Sequence, residues 1–189
     1  MENSKTKKTV LAMCEGGIMI ALSLALSYLD IPLGAQGGSV DLVMVPIMIF
    51  ALRHGLWRGV TVGLAFGTLK YFLANGFAIS WESIVFDYSV AYAAVGLTAL
   101  VLFICKDGNV TAGKAAFGAF VGGMVRFFVH YLSGVTVYAK WMPEEFLGLP
   151  MTTPLIYSFL YNGLYMIPNI IAAVIVVPII VAALKKAKI

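Results

Sequence analysis

Apolar stretches about as long as a membrane is thick follow one another along almost the whole chain. A helix needs roughly 20 mostly apolar residues to cross the hydrocarbon core of a bilayer. Hydrophobic residues make up 61% of the 189 and charged residues only 12%, whereas a soluble domain has about 25% charged residues. The pattern predicts an all-α integral membrane protein and leaves no room for a separate soluble domain.

Charges and turn residues divide the chain into six apolar segments. We expect them to form a six-transmembrane-helix bundle that is a single domain over residues 1–189. Their approximate bounds are 10–29, 40–53, 57–74, 83–105, 112–139 and 154–184. The second is short and follows a glycine-rich stretch, so it is expected to be tilted or to span only part of the bilayer. The last contains Pro168 and Pro178, and proline inside a helix favours a kink or a break.

Lysine and arginine concentrate in alternate loops, on the same side as the N-terminus. Ten of the 13 are there: Lys5, Lys7, Lys8, Arg53, Arg58, Lys106, Lys114, Lys185, Lys186 and Lys188. Cytoplasmic loops are enriched in these residues, so both termini are predicted to be cytoplasmic. The basic balance is therefore a topology signal and does not indicate a nucleic-acid partner. The first apolar run is about 20 residues, longer than the roughly 7–15 of a signal peptide, and is expected to remain as the first span.

Gly17, Ala21 and Ala25 lie four residues apart in the first apolar segment. Small residues in one row of a helix let another helix approach closely, which is a common way for helices to pack in a bilayer. The row packs either within this protein's own bundle or against a separate membrane subunit. The sequence alone leaves both interpretations open.

Arg126, His130, Gly134 and Tyr138 recur at every fourth residue of the fifth segment, so they share one side of a helix. Ionisable residues at membrane depth usually face the protein interior and contact a ligand, a partner charge or water. The row predicts one wall of a pocket for a small polar ring compound, with Trp141 following at its outer end. Two simpler interpretations remain: His130 as a hydrogen-bonding residue of the bundle, and Tyr138 as part of the interfacial aromatic belt.

Glu15 and Asp87 are carboxylates within apolar segments, where an unpaired charge costs about 3 kcal/mol. Glu15 is near the cytoplasmic end of the first segment, and Lys8 and Lys114 are its candidate partners. Asp87 lies about one turn below the outer loop and is expected to pair with Arg126, a hydroxyl or a ligand. An Asp87–Arg126 ion pair is compatible with a ligand site, since a ligand can insert between paired charges.

The sixth segment opens with Tyr157, Ser158, Tyr161 and Asn162. An asparagine amide offers two donor hydrogens and an acceptor, which suits an aminated heterocycle. Aromatic faces attract a planar cation by about 0.5–2 kcal/mol each. Together with Asp87, these residues favour a flat, hydrogen-bonding ligand, neutral or cationic.

The sequence contains no nucleophile–base pair and no metal-ligand spacing that stands out, so we expect neither enzymatic activity nor a metal or other cofactor. It also lacks a glycine-rich phosphate loop ending in Gly-Lys-Ser/Thr. ATP-driven transport would therefore take its energy from another subunit. Self-sufficient carriers are often built from two related halves, and the two halves here do not resemble each other. A self-sufficient carrier and an intramembrane enzyme remain the alternatives.

Several of these motifs resemble those of the substrate-binding S components of energy-coupling factor (ECF) vitamin transporters, and in particular of the thiamin-specific type. The resemblance covers nearly the whole chain and is carried by Pro46 with the turn at 52–55, by 86–88, by 126–130 with Gly134, and by 157–158 with 162–163. It implies a bundle in the plasma membrane of a prokaryote that captures thiamin from outside. It further implies that the first helices dock onto a transmembrane coupling subunit driven by two ATPases. Gly17, Ala21 and Ala25 lie where the family has its small-residue docking motif.

The resemblance also implies roles for individual residues. Asp87 corresponds to the acidic residue that binds the aminopyrimidine, with Asn162 and Tyr157 at the edge of that ring and His130 and Tyr138 beside the thiazolium. The other positions that match the family's pocket are Tyr88, Gly134 and Arg126, the last standing where the family usually has lysine.

Four departures from the family pattern bear on the ligand. The first loop has no aromatic residue near Gln36, where a tryptophan is expected. Tyr138 stands where a second tryptophan is expected, and the nearby Trp141 is close enough in sequence to reach into the pocket in its place. Phe77 stands where a tyrosine is expected, and Asp87 is one methylene shorter than the usual glutamate. The sequence therefore leaves the ligand open between thiamin and another aminopyrimidine such as hydroxymethylpyrimidine.

Overall fold

The computed structural model describes residues 2–33, 38–74, 76–104 and 109–187, with side chains from residue 6 onward. The described chain is mostly helical, as predicted. Its helices are α1 (Glu2–Leu26), α2 (Met44–His54), α3 (Leu56–Leu73), α4 (Trp81–Phe103), α5 (Ala112–Thr136) and α6 (Pro154–Lys186). Two antiparallel hairpins lie in the connections: β1 (Ile31–Pro32) with β2 (Ser39–Val40), and β3 (Glu145–Phe146) with β4 (Leu149–Pro150).

Four helices of the described chain are long and apolar enough to cross a membrane: α1 from Thr6, α4, α5 and α6. The other two differ from these in length or charge. The 11 residues of α2 extend only about 16 Å, roughly half the thickness of the hydrocarbon core. The 18 residues of α3 include Arg58 and Lys70. The expectation of a short second segment thus agrees with the length of α2.

Several helix ends differ from the predicted bounds for local reasons. The second segment was expected to begin at residue 40, but Ser39 and Val40 pair with the first strand, and α2 begins at Met44. The fifth was expected to reach residue 139, but α5 ends at Thr136 and a short 3₁₀ turn follows. The last segment was expected to be kinked or broken at its prolines; it is not broken, because α6 continues as one helix through both of them.

The short helix α2 lies at the centre of the packed core. Nearly all of its side chains, from Met44 to Leu52, are buried, which is typical of a helix that is apolar on every side. The backbones of α3 and α4 approach closely at Gly63 and Gly67, where a Cβ atom would overlap the carbonyl oxygens of Tyr92 and Tyr88. This approach brings the part of α3 that carries Lys70 next to the part of α4 that carries Asp87 and Tyr88.

Candidate functional site

A cavity of about 210 Å³ lies among α3, α4, α5 and α6, at the end of the bundle that carries the two hairpins. Seven of the nine tyrosines of the chain line it: Tyr28, Tyr88, Tyr92, Tyr138, Tyr157, Tyr161 and Tyr165. The charged lining residues are Asp30, Lys70, Asp87 and Arg126. The tyrosine rings give this cavity apolar faces, while most of its lining is polar. Small-molecule sites usually enclose about 300–1,000 Å³, so this cavity is smaller than most.

The predicted row on the fifth segment does face this cavity. Arg126, His130, Gly134 and Tyr138 all line it, and the side chains of Arg126 and His130 are almost fully buried, at 5% and 7% exposure. Tyr138 reaches it differently from the other three, since α5 has already ended at Thr136. Arg126, His130 and Gly134 therefore share one face of α5, and Tyr138 lies beyond the end of that helix.

Asp87 is held by two side chains of α5. Ser133 Oγ donates to one carboxylate oxygen at 3.0 Å, and His130 Nδ1 lies 3.2 Å from the other. An ionised carboxylate only accepts, so this bond places a proton on Nδ1 of His130. Of the partners expected for Asp87, the structure shows a hydroxyl, that of Ser133, while an ion pair with Arg126 is not found among the described contacts. His130 and Ser133 lie one and two turns nearer than Arg126 to the C-terminal end of α5, and they reach the carboxylate.

Arg126 packs against an aromatic ring rather than an acid. Its Cζ lies 4.1 Å from the centroid of the Tyr92 ring, a cation–π distance. Two of its nitrogens, Nε and Nη1, are buried without a hydrogen-bond partner, as is Nε2 of His130. Unpaired buried polar groups cost about 1–3 kcal/mol each. These nitrogens are therefore available to a bound molecule.

Asn162 is already largely occupied by protein partners. Its Nδ2 donates to the carbonyl oxygen of Ser158 at 2.9 Å and lies within 3.3 Å of the His130 carbonyl, while its Oδ1 accepts from Tyr165 at 2.6 Å. Only one lone pair of Oδ1 remains for a ligand. The two N–H donors of this amide, predicted to be free for a ligand, therefore bind carbonyl groups of α5 and α6.

Gly134 lines the cavity and also allows a close helix contact. A Cβ atom there would overlap Ser158 Oγ, and that hydroxyl donates to the carbonyl of Tyr131 at 2.8 Å. The absent side chain allows α6 to approach α5, and it does so at the edge of the cavity.

The part of α4 that carries Asp87 is wound as a π-helix from Ile84 to Val90. Segments of this kind are rare and frequently occur at functional sites. Within it, the hydroxyl of Tyr88 accepts from the Phe77 amide at 2.6 Å and lies 3.0 Å from the Phe77 carbonyl. The Tyr88 hydroxyl thus binds the loop before α4. Tyr88 and Phe77 both line the cavity.

Trp141 does not lie among the cavity-lining residues, and its side chain is 62% exposed. Phe146 of β3, which the sequence did not single out, packs edge-on against the lining residue Tyr157, with ring centroids 5.3 Å apart. The expected position of the first-loop aromatic, near Gln36, lies outside the described residues.

Other lining residues were missed although the sequence carried signals for them. Lys70 is an ionisable residue inside an apolar segment, which by itself marks a functional candidate. Tyr92 follows Tyr88, and Tyr165 follows Tyr161, at the four-residue spacing of one helix face. All of these contribute to the cavity. Ser133 had no such signal, since serine is common in helices that pack in membranes.

The row of small residues on α1 points away from the bundle. Gly17, Ala21 and Ala25 are exposed, and a Cβ atom on Gly17 would meet nothing within 4 Å. The neighbouring Gly16 is the one that packs internally, with a Cβ position 3.1 Å from Val62. Of the two interpretations of this row, packing within the protein's own bundle is therefore not observed.

Glu15 pairs with residues other than the expected Lys8 or Lys114. Arg53 Nε donates to its carboxylate at 2.6 Å, and His54 Nε2 lies 2.9 Å away. Both partners come from the end of α2, which lies beside α1. The tight turn at Gly55, with φ of +90°, follows directly and leads into α3.

Known proteins are similar to this chain in sequence and in fold. The family model of the thiamine transporter protein matches residues 13–189. The thiamine transporter ThiT of Bacillus subtilis (strain 168) is 31% identical over 180 residues, covering 89% of each chain. ThiT of Lacticaseibacillus paracasei (strain ATCC 334) is 25% identical over 165 residues, covering 82% of this chain and 79% of the relative.

A solved structure, that of ThiT from Listeria monocytogenes, superimposes with a TM-score of 0.78. It covers 95% of this chain and 97% of the other, at 19% sequence identity, and so shows a common fold. The family match extends over nearly the whole chain, and it confirms the resemblance inferred from the motifs. This chain belongs to the thiamine transporter protein family.

Proposed function

We propose that this chain binds thiamin at the outer face of a prokaryotic plasma membrane, as the S component of an ECF-type importer. A separate coupling module, made of one transmembrane subunit and two ATPases, supplies the energy. The observation that carries the proposal is a cavity that combines a positioned carboxylate, Asp87, with seven tyrosines in a member of the thiamine transporter family.

The chemistry of the cavity suits the two rings of thiamin. The carboxylate of Asp87 accepts hydrogen bonds from the aminopyrimidine, while Ser133 and His130 keep it in place. The thiazolium carries a positive charge, and each tyrosine face that it meets contributes about 0.5–2 kcal/mol. A carboxylate that is already oriented loses little conformational entropy when the ligand binds.

Other residues take supporting roles in this arrangement. Tyr157 and the free lone pair of Asn162 Oδ1 contact the edge of the pyrimidine, and His130 and Tyr138 flank the thiazolium. Tyr88 contributes its ring face, Phe77 closes the rim of the cavity, and Arg126 offers its unpaired N–H groups to an acceptor on the ligand. Trp141 is assigned no role here, because it is largely exposed and is not among the lining residues.

The orientation in the membrane follows from charge. We place both termini in the cytoplasm and all six helices in the membrane, since ten of the 13 lysines and arginines then lie on the inner side. The cavity and both hairpins then face outward. Thiamin thus reaches the pocket from outside the cell.

The surface of α1 that faces away from the bundle is the docking site for the coupling subunit. Gly17, Ala21 and Ala25 form an exposed row of small residues there, and such rows allow close helix–helix approach in a bilayer. The pairing of Glu15 with Arg53 and His54 joins α1 to α2 just below this row. The docking helix is thereby held to the bundle that carries the ligand.

One observation favours a second candidate ligand. The cavity of about 210 Å³ is smaller than most ligand pockets, which enclose about 300–1,000 Å³. A free aminopyrimidine such as hydroxymethylpyrimidine lacks the thiazolium and needs less space. Comparison of the two ligands is therefore part of the binding test described in the Discussion.

Reconstitution in proteoliposomes tests the proposed division of labour. Vesicles contain this chain alone or together with a coupling module from the same genome, with ATP or ADP inside and radiolabelled thiamin outside. We expect accumulation only with the module and ATP, and stoichiometric binding without accumulation for the chain alone. Gradient-driven uptake by the chain alone would identify a self-sufficient carrier, and release of a chemically altered product would identify an enzyme.

A further inference from the structure

Lys70 places a second positive charge in the lining of the cavity. Its Nζ lies 3.4 Å from Asp41 Oδ2 and 2.9 Å from the hydroxyl of Tyr92. The Lys70 side chain is only 12% exposed and that of Asp41 only 2%. A buried ammonium repels a cationic ligand strongly in such a poorly solvated site, so its charge has to be compensated where a cation binds.

Asp41 is held in place independently of Lys70. Its Oδ1 accepts from the Val43 amide at 3.2 Å. Its own amide donates to Asn169 Oδ1 at 2.8 Å, and Asn169 in turn donates to the Ser39 carbonyl. The carboxylate therefore keeps its position next to β2 and α6 without help from the lysine. The scaffold of this segment does not require the ion pair, which points to an electrostatic role.

Asp41 makes the total charge around the cavity negative. Among the lining residues that the structure describes, two are acidic, Asp30 and Asp87, and two are basic, Lys70 and Arg126. Asp41 lies behind Lys70 and adds one negative charge. Arg126 has no carboxylate partner of this kind among the described contacts, and its guanidinium faces the ring of Tyr92.

We propose that the Lys70–Asp41 pair determines the charge selectivity of the cavity. Asp41 cancels the charge of Lys70, so the cavity is negative overall and accepts an organic cation. This inference rests on the proposed binding of thiamin and adds a specificity-determining pair to it. It assigns Asp41, which does not touch the cavity, a role that acts through Lys70.

A double-mutant cycle tests the pair. Isothermal titration calorimetry measures thiamin affinity for the wild type, Asp41→Asn, Lys70→Met and the double variant. We expect Asp41→Asn to weaken thiamin binding at least tenfold, because it leaves the ammonium uncompensated. Lys70→Met on its own is expected to stay within threefold of the wild type or to bind more tightly. The double variant should recover to within threefold, since it removes both charges.

A neutral ligand separates charge from shape. In the analogue used, a thiophene ring replaces the thiazolium and the rest of thiamin is kept. Asp41→Asn should change its affinity by less than threefold. An equal loss for thiamin and the analogue, or a double variant no better than Asp41→Asn, would overturn the proposal and leave the pair a structural role.

Controls keep the outcome decisive. Thr68→Val lies on the same helix as Lys70, and Thr68 contacts Ser89 at 2.9 Å outside the cavity lining, so its thiamin affinity should not change. If Asp41→Asn does not fold, Lys70→Met decides alone, and a tenfold loss of affinity in that variant contradicts the proposal. A wild type that does not bind thiamin would instead refute the proposed function.

Discussion

At the scale of single residues, the cavity depends on side chains that serve the protein and the ligand at once. Asp87 accepts from Ser133 and lies beside His130, so its carboxylate is oriented before a ligand arrives. Asn162 and the Tyr88 hydroxyl are mostly engaged with protein groups. The groups left for a ligand are the carboxylate, the ring faces and the unpaired nitrogens of Arg126 and His130.

Asp87→Asn should weaken thiamin binding at least tenfold, or about 1.4 kcal/mol, because the amide removes the negative charge that the aminopyrimidine meets. Calorimetry on the purified variant measures the loss. Glu82→Gln is the matched control, since Glu82 lies on the same helix but does not line the cavity. Wild-type affinity in Asp87→Asn would refute the role assigned to this carboxylate.

Gly134→Ala should destabilise the protein, because the added methyl group overlaps Ser158 Oγ at the contact between α5 and α6. Overpacking typically costs about 1–3 kcal/mol, and we expect the melting temperature to fall by about 5 °C. Gly113→Ala, on the same helix with nothing within 4 Å of its added methyl group, should leave it unchanged. An unaltered melting temperature in Gly134→Ala would show that Ser158 moves aside freely.

Sequence reasoning at this scale identified residue types better than their partners. The four-residue spacing found Arg126 and His130, because helical periodicity places such residues on one face. It offered Arg126, a hydroxyl or a ligand as the partner of Asp87; the structure shows the hydroxyl of Ser133 and packs Arg126 against Tyr92. Which of several polar groups meet depends on the relative heights and rotations of neighbouring helices, and these are not encoded in the spacing along one helix.

At the scale of helices, α4 shows how winding positions a site. Its N-terminal part is α-helical at 81–83 and then π-helical from Ile84 to Val90. Its C-terminal part is a 3₁₀-helix from Gly96 to Phe103. The π segment brings Asp87 and Tyr88, which are adjacent in sequence, to the same cavity. Apolar periodicity predicts that this segment is helical, but it does not predict a change of winding. The π-helical part lies where α4 packs closely against α3 at Gly67.

Bulky substitutions on the outer row of α1 should separate binding from transport. Ala21→Trp fills the small-residue surface, so we expect thiamin affinity to stay within twofold of the wild type and ATP-driven uptake to fall at least tenfold. Calorimetry and proteoliposome uptake measure the two effects. Leu132→Trp on α5, also exposed but away from α1, is the control. Full uptake by Ala21→Trp would refute the docking assignment.

At the scale of the whole molecule, the apolar segments predicted that the described chain is mostly helical, while the ends of its helices required the structure. Residues 40–43 were assigned to the second helix because they continue an apolar run, but hairpin pairing and the Asp41 contacts with Asn169 take them out of it. Lys70 was overlooked because it lies in a segment counted as a span. The cavity itself is formed by residues far apart in sequence, and no local pattern determines its volume.

The proposed topology has a direct test. Green fluorescent protein fused to either terminus should fluoresce, because both ends lie in the cytoplasm. Alkaline phosphatase inserted in the turn at Leu147 and Gly148 should be active, since this turn between β3 and β4 faces outward. Inactive phosphatase at the turn, or a terminus that does not fluoresce although the fusion is present in the membrane, would contradict the assigned orientation.

The most direct measurement is the calorimetric titration of the purified wild-type chain with thiamin, hydroxymethylpyrimidine and riboflavin. Calorimetry is preferable to tryptophan quenching, because none of the described lining residues is a tryptophan. We expect one thiamin per chain with sub-micromolar affinity, weaker binding of the pyrimidine fragment, and no binding of riboflavin. Tighter binding of hydroxymethylpyrimidine than of thiamin would reassign the ligand, and the absence of binding for all three would contradict the proposed site.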